Sequence, residues 1–365
     1  MKYTICAIFL AITYYCQAQQ KLAKLNFLSL HPTPIIGQNT KGAEDIKFGF
    51  EGGSAVKVKK HYYIFTTENF DEPKTAAVRL ALWKSKDGIK FTRHYQLTQT
   101  NYNWNDSTTY LMSPWSPSLV FDSLNNRWSV FYVGYRRKPG SPNVYNMSGR
   151  IRRFDAVKKG EKGLEGPYKV GNWLNINQKG EDWEGAGELL SFYPYKVGKI
   201  WYGFLGTNTV PVVLDAKSLG GVTSAGKSYF RASLARADSL TGRWERVREL
   251  NPVMMDEEFI ENSIVTKIND NLYINVYDGA NKHELSYATS SDGIHWNKEQ
   301  IMNIPNPPEW LHTIRTPLGL INEGNNIYTI YFTAFDGKNP KQILPLWHLG
   351  FGNVGMMKVK LVILE

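Results

Sequence analysis

Five times along the chain a short apolar run meets a turn and returns as an aromatic-rich strand. The copies read GSAVKVKKHYYIFTTE from Gly53, PSLVFDSLNNRWSVFYVGY from Pro117, GELLSFYPYKVGKIWYGFLGT from Gly187, NSIVTKINDNLYINVYDG from Asn262 and LGLINEGNNIYTIYFTAFDG from Leu318. A unit recurring at roughly 55–75 residues cannot bury its apolar face alone, so its copies must stack into a solenoid or a ring. Each unit is strand, with no sustained helical periodicity, which predicts an all-β fold, a five-bladed β-propeller.

Each unit reads as four strands. The second carries aromatics that alternate with polar residues and should pack between neighbouring sheets: Tyr62-Tyr63, Trp128, Trp201-Tyr202, Tyr273 and Tyr328. The third ends in a repeated turn, Ser85-Lys86-Asp87-Gly88 and Ser290-Ser291-Asp292-Gly293, each followed three residues on by an aromatic, Phe91 or Trp296. Asp-Gly supports a tight hairpin, because Gly accepts positive φ and Asp bonds the turn backbone, so these aspartates read as structural. The blades run from Lys47 to Thr98, Tyr110 to Trp173, Trp183 to Glu249, Glu258 to Ile304, and Leu311 to the C-terminus. The last has a weak outer strand, which Leu22 to Leu30 could supply, closing the ring and removing an open edge.

The first 18 residues read as a signal peptide. Lys2 gives a positive start, Ile5 to Tyr15 is mostly apolar, and Cys16-Gln17-Ala18 fits a small-x-small cleavage site. Residues 19–365 then form one propeller domain, exported to the periplasm or beyond. Cys6 and Cys16 both lie in the leader, so the mature chain has no disulfide, thiolate zinc site or cysteine nucleophile. No later stretch is long and apolar enough for a membrane-spanning helix. The net charge of +10 comes from scattered Lys and Arg, which suits a soluble basic surface or attraction to an acidic glycan better than nucleic acid. Nucleotide loops, HExxH and GxSxG are missing from the sequence, and no organic cofactor is implied.

In a propeller the loops entering the innermost strands share one funnel although they are far apart in sequence. The five strand starts are Phe50-Glu51-Gly52-Gly53, Trp115-Ser116-Pro117-Ser118, Glu184-Gly185-Ala186-Gly187-Glu188, Ile260-Glu261-Asn262 and His312-Thr313-Ile314-Arg315. Three of them carry carboxylates. Glycosidic cleavage needs two carboxyl groups, one to protonate the leaving oxygen and one to activate water or attack. Crowding would push their pKa values apart. Glu51, Glu188, Glu261 and Glu184 are therefore the candidate catalytic residues, with Glu188 favoured as acid and Glu51 or Glu261 as base or nucleophile. The competing role for any of these glutamates is an ion pair, with Arg315 or with an exposed Lys. Trp115, Ser118, Asn262, His312 and Arg315 are the candidate sugar contacts, and His312 or His348 could face a channel-bound cation such as calcium. Arg315 also hints at a uronic or sulfated oligosaccharide.

Phe50-Glu51-Gly52-Gly53 leading to His61-Tyr62-Tyr63-Ile64-Phe65, with Ser85-x-Asp-Gly-x-x-Phe closing the blade, resembles the five-bladed propeller glycoside hydrolases of family 43 and the related families 32 and 117. Trp115-Ser116-Pro117-Ser118 looks like their second-blade Trp-Ala-Pro-Asp, and Glu184-Gly185 like their third-blade Glu-Gly-Pro. The resemblance implies that Glu51 stands near the base and Glu184 or Glu188 near the general acid. Ser118 occupies the position of a missing acid that tunes the pKa of its partner, and Glu261 has no counterpart. The sialidase propeller has a similar turn, but its box separates Asp from Gly and its ring needs six blades. The expectation is an exported glycoside hydrolase; the alternative is a non-catalytic carbohydrate-binding propeller using the same funnel.

Overall fold

The computed structural model describes residues 22–70, 77–100, 111–137, 149–177, 180–184, 189–208, 230–255, 259–279, 284–338 and 350–364. Glu188, His348 and the leader lie outside them. After β1 (Ala23–Leu30), the chain lays down an antiparallel run of β2 (Gly49–Val58), β3 (His61–Asn69), β4 (Val78–Ser85) and β5 (Thr92–Gln99). A second sheet follows in the same order: β6 (Leu111–Asp122), β7 (Arg127–Arg137), β8 (Arg150–Ala156) and β9 (Tyr168–Trp173). The third contains β11 (Leu189–Val197), β12 (Ile200–Asn208), β13 (Phe230–Ala237) and β14 (Arg243–Arg246), and β10 (Asn175–Ile176) adds to β14 in parallel. The fourth is β15 (Glu261–Asn269), β16 (Leu272–Asp278), β17 (Leu285–Ser290) and β18 (Gln300–Met302). The last run is β19 (Thr313–Gly324), β20 (Ile327–Phe335) and β21 (Gly352–Ile363), and β1 completes it by pairing antiparallel with β21. The N-terminal strand thus covers an edge that β21 would otherwise expose.

The first strands of these runs touch in a cycle: β2 meets β6, β6 meets β11, β11 meets β15, β15 meets β19, and β19 returns to β2. A parallel bridge between Gly49 and Gly352 links the first and last runs into one sheet. The apolar cores sit between successive sheets. Tyr63, Phe65 and Leu82 of the first run pack with Trp128, Val130 and Tyr132 of the second, and Phe131 and Val133 on the other face of the second meet Phe192 and Trp244 of the third. This is the alternation the aromatic strands predict, one side chain to each neighbouring sheet. Among the described residues no helix is long and apolar enough to cross a membrane.

The repeated turns are built as their sequence requires. Ser85 Oγ accepts from the backbone N–H groups of Asp87 (3.2 Å) and Gly88 (3.0 Å), and Asp87 Oδ1 accepts from those of Ile89 (2.9 Å) and Lys90 (2.8 Å). Ser290 and Asp292 repeat the pattern, with Gly88 and Gly293 both at φ 76°. Both turns also dock on a neighbouring sheet: Tyr331 OH donates to Gly88 O (2.9 Å) and Tyr195 OH to Gly293 O (2.7 Å). The turn is thus a connector between sheets as well as a hairpin.

Candidate active site

Each of the five inner strands carries one extra residue close to its start. The register slips between Glu51 and Gly53, Trp115 and Ser118, Leu189 and Ser191, Glu261 and Ile264, and Ile314 and Pro317. Such bulges bend a strand and re-aim its side chains, and they gather next to active sites. Three contain residues at positive φ: Gly52 (67°), Ser116 (44°) and Asn262 (54°). Backbone crowding explains Gly53, where a Cβ would collide with Phe65 O. Hydroxyls from the second strands hold the bulges. Thr66 donates to Gly52 O (2.8 Å), Thr67 accepts from Ser116 N (3.0 Å), and Thr333 accepts from Thr316 N (3.1 Å).

The bulges bring Glu51, Glu261 and Arg315 together from three different strand runs. Arg315 Nε donates to Glu51 Oε1 at 3.2 Å, and Arg315 Nη1 lies 2.7 Å from Glu261 Oε2, within ion-pair distance but not aligned as a hydrogen bond. The same Nη1 donates to Asp278, a carboxylate that comparing the strand starts does not find. Asp278 ends β16 directly opposite Glu261, so two acids face one another across a strand pair. Like charges in that position repel. One guanidinium cannot neutralise three buried carboxylates, and Glu51 Oε2 is buried without a hydrogen-bond partner. Burial therefore dominates: it pushes Glu51 up to about 7 and Asp278 up to about 8, with Arg315 opposing the rise and Glu261 adding to it. Near neutrality this cluster retains a proton. Gly53 and Asn262, close behind the two glutamates, line a small cavity between the inner strands together with Ser116, Ser118, Ser191 and Tyr193.

Other candidates sit elsewhere. Glu184, fully buried, ends a short turn of 3-10 helix and is held in place by Arg246 Nε (2.9 Å), by Ser233 Oγ and by the backbone N–H of Glu181 (2.9 Å). This is the ion-pair role, filled by Arg246 rather than by Arg315, and it removes Glu184 from the acid cluster. Trp115 is only 3% exposed and packs in the core against Tyr135, so it is not a sugar platform. His312 is exposed, with its ring beside Gly337 and its backbone N–H on Phe335 O (2.9 Å). Arg315 is engaged by carboxylates and does not stand ready for an anionic sugar. Among the described residues no group of three or more His, Cys, Asp or Glu has metal-binding geometry.

No protein-family model and no curated protein matches the chain. Solved structures do. The protein in a complex of BT0996 with RGII superposes with a TM-score of 0.64 at 11% identity, covering 92% of this chain and 92% of its own. Zg3597, a family 117 glycoside hydrolase produced by the marine bacterium Zobellia galactanivorans, gives 0.59 at 12% identity over 93% of this chain and 90% of its own. The catalytic domain of the Coprinopsis cinerea GH62 α-L-arabinofuranosidase gives 0.57 at 12% over 92% and 97%. Most of the chain thus has the all-β fold of the propeller glycoside hydrolases.

Proposed function

We propose that the protein is an exported glycoside hydrolase, a closed ring of five blades that cleaves an oligosaccharide at its axis. The observation that carries this reading is the cluster of Glu51, Glu261 and Asp278 around Arg315. Acids from separate strand runs are held within one guanidinium's span, with more carboxyl groups than charge to balance them. Such crowding costs several kcal/mol in a purely structural role. It supplies what glycosidic cleavage needs, a carboxyl that keeps its proton near neutral pH with a second carboxyl on the same guanidinium.

In this reading Glu51, expected from the sequence as base or nucleophile but raised to about 7, takes the acid's role instead and protonates the leaving oxygen. Glu261, the most exposed of the three at 8%, activates water or attacks the sugar. Asp278 bonds Arg315 and so fixes the guanidinium that orients both glutamates. The glycosidic bond breaks as the proton moves from Glu51 to the departing oxygen; water adds its hydroxyl to the anomeric carbon and gives its other proton to Glu261.

The test is a screen of the purified protein against plant and algal oligosaccharides, with Glu51→Gln and Glu261→Gln alongside. Each substitution is expected to lower kcat at least ~100-fold while leaving the thermal midpoint at or above that of the parent. The parent rate should fall as pH rises past about 7, where Glu51 loses its proton. Turnover that survives both substitutions would remove the site. The second reading, a binding propeller without catalysis, draws on Ser118 at the second strand start and on Glu184 being tied to Arg246. It predicts saccharide binding with no turnover on any member of the panel.

A further inference from the structure

Away from the axis, a depression of ≈ 450 Å³ opens at the β6–β7 hairpin where the second sheet meets the third; Asp122, Asn126, Arg127, Asp155, Lys159 and Thr241 are among its lining residues. Asp122 and Arg127 are the closing cross-strand pair of that hairpin, placed to form an ion pair. They do not form one. Asp122 Oδ1 instead accepts from the backbone N–H groups of Leu124 (3.1 Å) and Asn125 (3.4 Å), and Oδ2 accepts from Asn125 Nδ2 (2.6 Å). The other acid is also satisfied: Asp155 Oδ1 accepts from Ser129 Oγ and from Arg153 Nε, both at 2.7 Å. Arg127 Nε is left buried with no hydrogen-bond partner. Among the described residues neither Arg127 nor Lys159 has an ion-pair partner.

Two cations without a carboxylate partner on one depression, half-buried Arg127 and exposed Lys159, offer charge-assisted hydrogen bonds that an oxyanion would complete. The depression falls in the size range of small-ligand sites. Exposed Leu124 at its edge offers an apolar surface for sugar C–H groups. We propose that this depression is a second saccharide site, separate from the axial cluster, that takes an anionic sugar through Arg127 and Lys159. The anionic group is a carboxylate or a sulfate ester, and Asn126 and Thr241 are within the same pocket to meet its hydroxyls. The site would hold an acidic chain on the protein while the axis acts on a different unit of it.

The experiment is calorimetric titration of the full chain with tri-galacturonate, with a sulfated galactose disaccharide and with neutral galactotriose. The two acidic sugars tell carboxylate from sulfate recognition, and the neutral one tells charge from sugar shape. Binding of at least one acidic sugar, weakened by salt, is expected. It should weaken at least ~10-fold in Arg127→Gln and in Lys159→Ala, as loss of a charge-assisted hydrogen bond does, and be unchanged in Glu51→Gln. Lys159 is exposed, so its substitution leaves the fold intact even if the Arg127 variant does not fold. Absence of acidic-sugar binding would overturn the proposal, as would equal affinity for galactotriose, insensitivity to Lys159→Ala, or loss in Glu51→Gln. Loss of turnover in Glu51→Gln with acidic binding retained separates this site from the axial one.

Discussion

At the scale of single residues, the acid cluster ties stability to pH with a definite sign. Glu51 and Asp278 hold protons in the folded chain up to about 7 and about 8, whereas the unfolded chain releases them near pH ~4. The fold binds the extra protons, so the contribution of these two groups to stability is complete below the unfolded carboxylate range and is lost as pH rises through 7 to 8. Urea midpoints measured between about pH 5 and pH 9 should show this decline, on the order of a few kcal/mol. The Glu51→Gln/Asp278→Asn double variant should flatten it. Removing the cation acts in the opposite direction. Arg315→Met leaves three acids uncompensated and should cost about 3–5 kcal/mol at about pH 8, with part of the loss recovered at about pH 5. A midpoint for that variant equal to the parent's would mean that the guanidinium is not what holds these acids.

At the scale of elements, the Ser-x-Asp-Gly turn was legible from sequence alone because the bonds that shape it are local; its docking on Tyr331 or Tyr195 of a neighbouring sheet was not. Ser85→Ala and Ser290→Ala should each cost about 1 kcal/mol, as the loss of a capping hydroxyl does. The two sites share no partner, so their costs should add in a thermal-denaturation series. The candidate site was only partly legible. Glu51, Glu261 and Arg315 could be found because each sits at the start of an inner strand, a position the repeat itself marks. Asp278 could not, since it lies at the far end of the next strand and enters through pairing with Glu261. Glu184 looked like its neighbours in sequence. Its partner Arg246 comes from β14, and no local pattern announces that pairing. The bulges were hidden for a similar reason: the extra residue shows only when two strands are aligned against each other. Gly53→Ala should be among the costlier single changes, because the added Cβ meets Phe65 O and the residue sits at φ 149°.

For the whole molecule, the repeat announced an all-β array of stacked sheets, and the chain lays one down. What periodicity could not fix was how the last sheet is finished. β1 supplies that answer, with Ala23 and Leu25 buried beside Met357, Val359 and Leu361. Removing residues up to Leu30 should therefore cost several kcal/mol in lost apolar burial and leave β21 open to association. Lower thermal midpoint and concentration-dependent light scattering would register both effects.

The pairing of Ala23 with Ile363 has one more consequence. It puts the two extremities of the described chain side by side on adjacent strands, so a short peptide could sew them together without distorting either. A circular permutant reopened in the exposed Pro305–Pro307 segment should regain the parental architecture from a different starting point. Order of synthesis would then matter less to this protein than the seam at which its sheets are joined.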